Sequence, residues 1–413
     1  MATIRPFKGY RPTEELCSKV AALPYDVMTS AEAREMVKDD PYSFLHVDRA
    51  EIDLPVGTDI YSEVVYKKAA DNLNSMIEKG IYIRDEKPVY YIYSLKMGER
   101  VQTGLVVCTS IDEYIDGTIK KHELTRADKE QDRINHVDYC NANTGPIFLT
   151  YRDNDKVNDI IAKETAKKPV YDFVSDDGVG HKVWLVDSEE TITALTQEFK
   201  NVPNLYIADG HHRNASAVKV GLKRRGEGEY DKNAEFNFYL SVLFPVSNLH
   251  IMDYNRVVKD LNGLTKEEFF AKVSEKFDVE EKPALFHPEK MHTFGMYIDK
   301  KWYCLSAKKN VVPQGDPVGE LDVSILQENL LSPILGIGDP RTDKRIDFVG
   351  GIRGLEELVK DVDEKGWEVA FAMYPTTMTQ LLDVADNNKI MPPKSTWFEP
   401  KLRSGIFVHK LSD

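Results

Sequence analysis

The sequence of 413 residues lacks the patterns that mark several common classes of protein. It contains only four cysteines, Cys17, Cys108, Cys140 and Cys304, which are too widely scattered for a CxxC metal knuckle. No HExxH pattern occurs either, so a zinc site is not expected. Scattered thiols of this kind indicate a reducing compartment rather than a disulfide framework.

Long apolar runs and positive charge are also scarce. No stretch of 18 apolar residues occurs, and the opening MATIRPFKGYRP has no apolar signal-peptide core, so we expect a cytoplasmic protein with no membrane partner. The net charge of −14 makes a nucleic-acid partner unexpected. The chain also has no GxxxxGK[ST] motif and no GxGxxG in a suitable context, which argues against a Walker A loop or a Rossmann fingerprint.

What is present describes a globular protein of more than one domain. Hydrophobic residues make up 42% of the chain and aromatic residues 10%. A single core rarely extends to 413 residues, and strand-like and helix-like segments are interspersed. We therefore predict an α/β (α+β) protein with domains over residues 1–115, 116–250 and 251–413.

The most informative stretch is ADGHHRNASA, from Ala208 to Ala217. The apolar run 205–208 predicts a buried strand, and residues 214–223 predict a helix that His211, His212 and Arg213 open and that ends near Gly226. A turn at Asp209 and Gly210 would connect them, with the free backbone N–H groups and positive dipole end of the helix available to a phosphate.

The side chains of this turn suit the same ligand. Gly210 lets the backbone approach closely, and Arg213 can bind a phosphate with two hydrogen bonds. The imidazoles of His211 and His212 can each donate another, and Asp209 can hold Mg²⁺ or orient a hydroxyl. The alternative is a helix capped by Asp209 with two surface histidines; zinc is disfavoured because adjacent histidines are poorly placed to share one ion.

A second stretch, residues 119–145, is rich in charge. One face of a helix that begins near His122 would carry four basic residues: His122, Arg126, Lys129 and Arg133. Such a face is a candidate anion site, and the alternative is a solvated helix with internal ion pairs. Glu123 would lie in the first turn, where a carboxylate can serve as a general base.

Four further segments have informative sequences. Pro24-Tyr25-Asp26-Val27 is an unusual polar and aromatic element, and residues 42–47 predict a strand. The segment Asp347–Gly351 enters a glycine-rich turn, to which we assign no role. Towards the C-terminus, hydroxyls and cations surround Trp397 and Phe398, and we expect tentative substrate contacts from Lys394, Ser395, Thr396 and Arg403. The alternative there is a terminal strand with polar loop residues.

These motifs resemble, nearly end to end, a bacterial and archaeal family catalogued as a domain of unknown function. The matching strings are RPF, PYDV, PYSFLHV, IKKHE, NANTGP, ADGHHR, LDVSILQ, RIDFVGG and PPKSTWFEPKLRSG. The ADGHHR element is in turn similar to the ParB/sulfiredoxin-like superfamily, in which a comparable strand–turn–helix binds nucleotide phosphates. This resemblance implies a ParB/sulfiredoxin-like nucleotide-binding core with α/β flanking domains.

The relatives that are most similar in chemistry are free L-serine kinases, which use ATP or ADP. Their IxxHE segment carries a catalytic glutamate, which corresponds here to Glu123. Their DHHR segment lies against the phosphates and metal, which here implies Asp209, His211, His212 and Arg213. This chain departs from that pattern through the inserted Gly210 and through a wider separation of the two motifs.

The sequence therefore predicts a kinase that transfers a phosphoryl group from ATP or ADP to the hydroxyl of free L-serine. Mg²⁺ would neutralise the transferred charge together with His122, Arg126, Arg133, His212 and Arg213. Two alternatives remain open: a ParB-like nucleotide-binding switch, and a regulatory ligand sensor without kinase activity. The choice between ATP and ADP, and the existence of a homodimer, also remain open.

Overall fold

A nine-stranded mixed sheet organises the first of two units in this protein, whose computed structural model describes residues 1–412. The first unit contains residues 1–121, 125–249 and those from Pro400 onward, and the second contains residues 122–124 and 250–399. The second unit is therefore an insertion within the sequence of the first.

The first unit contains the following strands: β1 Ile4–Arg5, β2 Tyr10–Pro12, β3 Tyr82–Arg84, β4 Tyr90–Met97, β5 Arg100–Ser110, β6 Ile119–Lys120, β7 Ala142–Asn143, β8 Ile147–Tyr151, β9 Tyr171–Val174, β10 Gly180–Val186, β11 Leu205–Asp209, β12 Phe238–Pro245 and β21 His409–Lys410. The large sheet has the order β6-β11-β8-β12-β5-β4-β10-β9, and β1 pairs with β5. The pairs β6–β11 and β8–β12 are parallel, while the other pairs are antiparallel. Two short pairs, β2–β3 and β7–β21, complete this unit.

The helices of the first unit are α1 Cys17–Val20, α2 Ser30–Met36, α3 Leu45–Asp48, α4 Glu63–Glu78, α5 Ile111–Ile115, α6 Ala127–Cys140, α7 Asp155–Thr165, α8 Glu189–Phe199 and α9 His211–Arg225. The central strand β4 is buried from Tyr90 to Leu95, so both of its faces are covered. On one face, Tyr90 and Ile92 join the core with residues of α7 and α8. On the other, Tyr91 packs against Phe7 and Phe407, which come from opposite ends of the chain.

The second unit is built on an antiparallel sheet with the order β15-β17-β16-β19-β14-β18. Its strands are β13 Ile251–Met252, β14 Tyr254–Val258, β15 Phe277–Lys282, β16 Thr293–Ile298, β17 Lys301–Ala307, β18 Ile346–Gly350, β19 Val369–Met373 and β20 Trp397–Phe398. Its helices are α10 Lys266–Lys276, α11 Asp322–Leu326, α12 Leu355–Glu364 and α13 Met378–Asp386, with a π-helical turn at Gln327–Leu331. Leu355 and Leu358 of α12 pack on the sheet and form its core with Val257 and Ala370.

These mixed helices and sheets confirm the predicted α/β (α+β) class. The strand predicted over residues 42–47 is wrong, because Leu45–Asp48 forms α3. The amides of Val47 and Asp48 both bond to the Phe44 carbonyl, and Asn72 of α4 donates to the His46 carbonyl at 2.6 Å. Local helical bonds and packing against α4 thus override the strand preference of the apolar side chains. Among residues 1–412, no helix combines the length and apolarity needed to cross a membrane.

Candidate functional site

The predicted strand, turn and helix around the ADGHHR stretch are confirmed. Strand β11 ends at Asp209, Gly210 adopts a left-handed conformation with φ of 91°, and α9 begins at His211. Only glycine adopts this conformation without a penalty from Cβ, so the reversal between strand and helix depends on Gly210. No side chain makes a capping hydrogen bond at the start of the helix, a position where the backbone N–H groups and the positive end of the dipole favour an anion. We call Asp209–Arg213 the phosphate turn.

Asp209 is an ionised carboxylate rather than a helix cap. Its Oδ1 accepts a hydrogen bond from the Gly210 amide at 2.8 Å, and its Oδ2 pairs with Lys401 Nζ at 2.9 Å. Burial raises the pKa of Asp209, but the Lys401 ammonium more than compensates and brings it to about 2. The alternative of Asp209 as the N-cap is wrong, since Gly210 occupies that position.

Arg213 is a largely buried guanidinium with few partners. Its side chain is 18% exposed, and its Nη1 donates to the Pro146 carbonyl at 3.2 Å. The nearest carboxylate, Asp26, is 3.8 Å from Nη2, beyond hydrogen-bond distance. The guanidinium also lies 5.7 Å from the ring centre of Tyr25. Arg213 therefore keeps donors that a bound anion can use.

The two histidines of the turn differ in their surroundings. His211 is buried, whereas His212 is partly exposed. Burial lowers the pKa of His212, so this imidazole is neutral at physiological pH. Its Nδ1 is buried and has no hydrogen-bond partner among residues 1–412. His212 can thus donate a hydrogen bond to a ligand, but it brings no permanent positive charge.

The helix predicted to begin near His122 begins instead at Ala127. Asp128 and Glu130 fall in its first turn, where carboxylates favour the positive end of the dipole, while the basic residues before 127 disfavour helix initiation there. The prediction that four basic residues share one helical face is therefore wrong. Only Lys129 and Arg133 of that set lie on α6.

The basic residues of this stretch have different surroundings. Arg126 is exposed and pairs with Asp128 at 2.9 Å. Lys129 donates to the Tyr61 hydroxyl at 2.8 Å. Arg133 alone is buried: its Nη2 is 2.7 Å from Asp132, and its guanidinium lies 3.9 Å from the ring centre of Tyr25. Of these three cations, Arg133 is the one that shares the surroundings of Arg213.

A small cavity in the first unit collects these cations, and we call it the Tyr25 cavity. Its lining includes the side chains of Tyr25, Asp48, Arg133, His136, Thr144 and Arg213. A second cavity is lined by Asp209, Gly210 and Lys401 and again by Arg213. Arg213 thus borders both cavities and connects the Tyr25 cavity to the phosphate turn.

Asp48 and His136 form a buried ion pair in the Tyr25 cavity. His136 Nε2 is 3.4 Å from Asp48 Oδ1, and the Thr144 hydroxyl donates to the same oxygen at 2.8 Å. Burial opposes both charges, yet His136 brings the pKa of Asp48 to about 2. Burial also lowers the pKa of His136, but Cys140 and Asp48 raise it to about 9. Both groups are therefore charged at neutral pH.

Asp48, His136 and Thr144 are candidate site residues that the sequence did not single out, whereas Lys401 lies in the C-terminal stretch whose hydroxyls and cations predicted ligand contact. Asp48 directly follows the PYSFLHV string, and Thr144 lies in the NANTGP string. Both strings belong to the motifs that carry the family resemblance. Their position in or next to these motifs could have identified Asp48 and Thr144 as candidate site residues. Nothing in the sequence indicated that Lys401 pairs with Asp209, 192 residues away.

The four tentative substrate residues fall in two units. Lys394, Ser395 and Thr396 belong to the second, and Arg403 to the first. The Lys394 ammonium lies 5.5 Å from the ring centre of Tyr254, and the Ser395 hydroxyl donates to the Pro392 carbonyl. Arg403 is buried and forms an ion pair with Asp177. These contacts stabilise the fold, and substrate binding by the four residues stays a prediction.

His122 and Glu123 belong to the second unit, where the His122 carbonyl accepts a hydrogen bond from the Met391 amide at 2.8 Å. His122 is buried and Glu123 is partly exposed. Neither residue is helical, so the proposed base does not open a helix as expected. Its role as general base stays a prediction that rests on the motif.

Comparison with known proteins gives one family match and several distant structures. A family model described as "Protein of unknown function (DUF1015)" matches residues 4–324. No protein of curated function matches the sequence. A free serine kinase mutant in complex with AMP is similar with a TM-score of 0.36 and 14% identity, over 74% of this chain and 92% of that chain.

Two further solved structures show the same degree of similarity. A conserved hypothetical protein from Pyrococcus furiosus has a TM-score of 0.34 and 16% identity, over 76% of this chain and 97% of that chain. SbnI from Staphylococcus aureus, truncated at its C-terminus, has a TM-score of 0.38 and 10% identity, over 72% and 85%. At these values the likeness carries no argument about function.

Proposed function

The chain belongs to the DUF1015 family, and we propose that it is a phosphotransferase that moves a phosphoryl group from ATP or ADP to the hydroxyl of free L-serine. The choice of donor and acceptor follows from the motif resemblance to free serine kinases. The chemistry is supported independently by the side chains around the phosphate turn.

One observation carries the proposal: an uncapped helix N-terminus meets a buried guanidinium and an ion-paired carboxylate. The backbone amides of α9, the Arg213 guanidinium and the Lys401 ammonium all surround the turn at Gly210. Phosphoryl transfer requires positioning and charge neutralisation more than covalent chemistry by the protein. Amides at a helix N-terminus and cations around one turn are suited to both tasks.

Asp209 fits the role of a Mg²⁺ ligand in this proposal. Its carboxylate is ionised, its side chain is 40% exposed, and it lies beside the amides proposed to hold the phosphates. In nucleotide sites Mg²⁺ usually takes one or two carboxylates together with phosphate oxygens. Bound Mg²⁺ would neutralise phosphate charge there, while Lys401 holds the Asp209 carboxylate in place.

The remaining roles follow the motifs. Glu123 is proposed as the base that accepts the proton of the serine hydroxyl, and His122 and Arg126 are proposed to assist with phosphate binding. The tentative substrate contacts of Lys394, Ser395, Thr396 and Arg403 are retained on the same basis. None of these assignments supports the proposal, and each is tested by substitution.

The decisive experiment supplies the purified chain with Mg²⁺, free L-serine and either ATP or ADP. Mass spectrometry then measures O-phospho-L-serine and the spent nucleotide. We expect phosphoserine with one of the two donors. If a nucleotide binds by calorimetry but no phosphoserine forms, the protein is a nucleotide-binding switch. If neither occurs, the phosphate turn does not bind nucleotide and the proposal is refuted.

Arg213→Ala tests the site within this assay. Loss of a charge-assisted contact should weaken nucleotide binding by about 1.5–3 kcal/mol. Lys223→Ala is a matched control, because Lys223 lies on the same helix, is 56% exposed and pairs with Asp138 away from the turn. Equal nucleotide affinities of the two variants would show that Arg213 does not contact the phosphates.

A further inference from the structure

The Tyr25 cavity concentrates more buried positive charge than the phosphate turn requires. Arg133, His136 and Arg213 all line it, and only Arg213 also borders the turn. Arg133 and His136 have 8% and 4% of their surface exposed. Cations are seldom buried unless they are paired or bind a ligand.

The pairing of the two guanidiniums is incomplete. Arg133 contacts Asp132 through Nε at 2.9 Å and Nη2 at 2.7 Å, and no contact of its Nη1 is found among residues 1–412. Arg213 donates one hydrogen bond, to the Pro146 carbonyl, and Asp26 is too distant for a second. A guanidinium has five N–H donors, so both side chains have capacity for a planar anion.

We propose that the Tyr25 cavity binds the carboxylate of an α-amino acid, so that the acceptor hydroxyl lies next to the phosphate turn. The proposal rests on the proposed function for the identity of the transferred group, but the binding it describes is independent of transfer. Arg133 and Arg213 would bind the carboxylate. Since Arg213 also borders the phosphate turn, the bound amino acid would lie next to the phosphate.

A carboxylate in the lining of the same cavity distinguishes an amino acid from a second phosphate group. Asp48 lines the same cavity, and although burial raises its pKa, His136 brings that pKa to about 2. The ionised carboxylate reduces the net positive charge that the cavity offers to a phosphate dianion, and it can pair with the ammonium of a zwitterion. Thr144 holds Asp48 in place through a hydrogen bond of 2.8 Å. The cavity therefore offers cations and one anion, as an amino acid requires.

Because Gly145 has no side chain, the Arg213 guanidinium can lie close to the backbone at this position. A Cβ at this position would lie 3.2 Å from Arg213 Nη1 and 2.9 Å from the Ser404 hydroxyl oxygen. Both distances are shorter than ordinary contacts, so Gly145→Ala displaces the guanidinium while all charges remain. Gly180→Ala is the matched control. Gly180 lies in β10, and its new Cβ would be 3.6 Å from Lys96 Cβ, which is an ordinary van der Waals distance.

Calorimetry on the nucleotide-free protein tests binding directly, with L-serine, L-serine methyl ester and L-glycerate as ligands. We expect the ester, which lacks the carboxylate charge, and glycerate, which lacks the ammonium, to bind at least ~10-fold more weakly than serine. Equal affinity of serine and its methyl ester would overturn the proposal. Serine binding with this selectivity but without phosphoserine formation would refute the kinase and leave the carboxylate site standing.

Steady-state kinetics with substituted proteins test the assignment of residues. Arg133→Lys keeps the charge but loses the planar fork, and we expect its KM for serine to rise at least ~10-fold while its nucleotide affinity is unchanged. Gly145→Ala should raise the same KM, and Gly180→Ala should not. A change in nucleotide affinity in Arg133→Lys, with serine KM unaltered, would make the cavity a phosphate site instead. If Arg133→Lys fails to fold, the calorimetric comparison of serine with its methyl ester on the native protein decides the question.

Discussion

Replacement of Gly210 by alanine separates two roles of this residue. The first is conformational: at φ of 91° an L-amino acid is strained by about 1–2 kcal/mol, because its Cβ crowds the following carbonyl. Steric contact within the fold adds little, since the nearest neighbour of the new Cβ would be the Arg213 Cβ at 4.0 Å. A loss of about 1 kcal/mol should lower Tm by roughly 2–4 °C for a unit of this size.

The second role concerns the ligand, and Gly117→Ala isolates it. Gly117 has φ of 84° between α5 and β6, and a Cβ there would meet nothing within 4 Å. Both variants should therefore lose similar stability. Only Gly210→Ala places a methyl group where the backbone is proposed to approach a phosphate. We expect its Kd for nucleotide to rise at least tenfold, equivalent to ~1.4 kcal/mol, and that of Gly117→Ala to remain unchanged.

Differential scanning calorimetry and titration calorimetry with ADP measure the two effects separately. A Gly210→Ala protein that binds ADP as tightly as the Gly117→Ala protein would refute close approach of phosphate to this turn. A much larger fall in Tm for Gly210→Ala than for Gly117→Ala would show that the turn has a structural constraint beyond its backbone conformation.

Three further predictions concern charged groups. The raised pKa of His136, from 6.5 to about 9, means that its charged form stabilises the fold below pH 6.5 and that this contribution is lost as pH rises through 9. The Tm difference between the native protein and His136→Asn should therefore shrink between pH 6 and pH 9.5, and a constant difference would contradict the pairing with Asp48. Asp209→Asn should weaken binding of Mg²⁺-nucleotide at least ~10-fold, with little effect on nucleotide alone, as calorimetry with and without Mg²⁺ would show. Glu123→Gln should reduce phosphoserine turnover about 10²–10⁴-fold and leave nucleotide affinity intact; unchanged turnover would remove Glu123 as the base.

The phosphate turn could be predicted from sequence because its determinants are local. Four apolar residues, a glycine and a helix-forming segment follow one another, and each favours the structure that is observed. The start of α6 is also set locally, by Asp128 and Glu130, but the spacing of basic residues drew attention to the wrong position. The spacing of residues shows which of them share a face if they form a helix. It does not show where the helix begins.

The Tyr25 cavity was beyond sequence reasoning for a different reason. Asp48 follows a segment whose apolar residues are typical of a strand, and only packing against α4 makes that segment helical. Arg133 and Arg213 come from two helices 80 positions apart, and the ring of Tyr25 lies near both guanidiniums. Contacts between residues so far apart in sequence depend on the tertiary structure, which cannot be read from a single sequence.

The segment after Pro400 has a consequence for the order of events during synthesis. Lys401 pairs with Asp209, the Gly405 carbonyl accepts a hydrogen bond from Tyr82, and β21 pairs with β7. A nascent chain that has not yet emerged past residue 400 therefore has the phosphate turn without its lysine and β7 without its partner strand. If residues 250–399 fold first, the flexible chain between residue 249 and residue 400 becomes effectively shorter. The entropic cost of bringing Lys401 to Asp209 then falls. Translation past residue 400 thus supplies the lysine that pairs with Asp209, and a ribosome stalled before that point would hold a chain in which the proposed phosphate site lacks this cation.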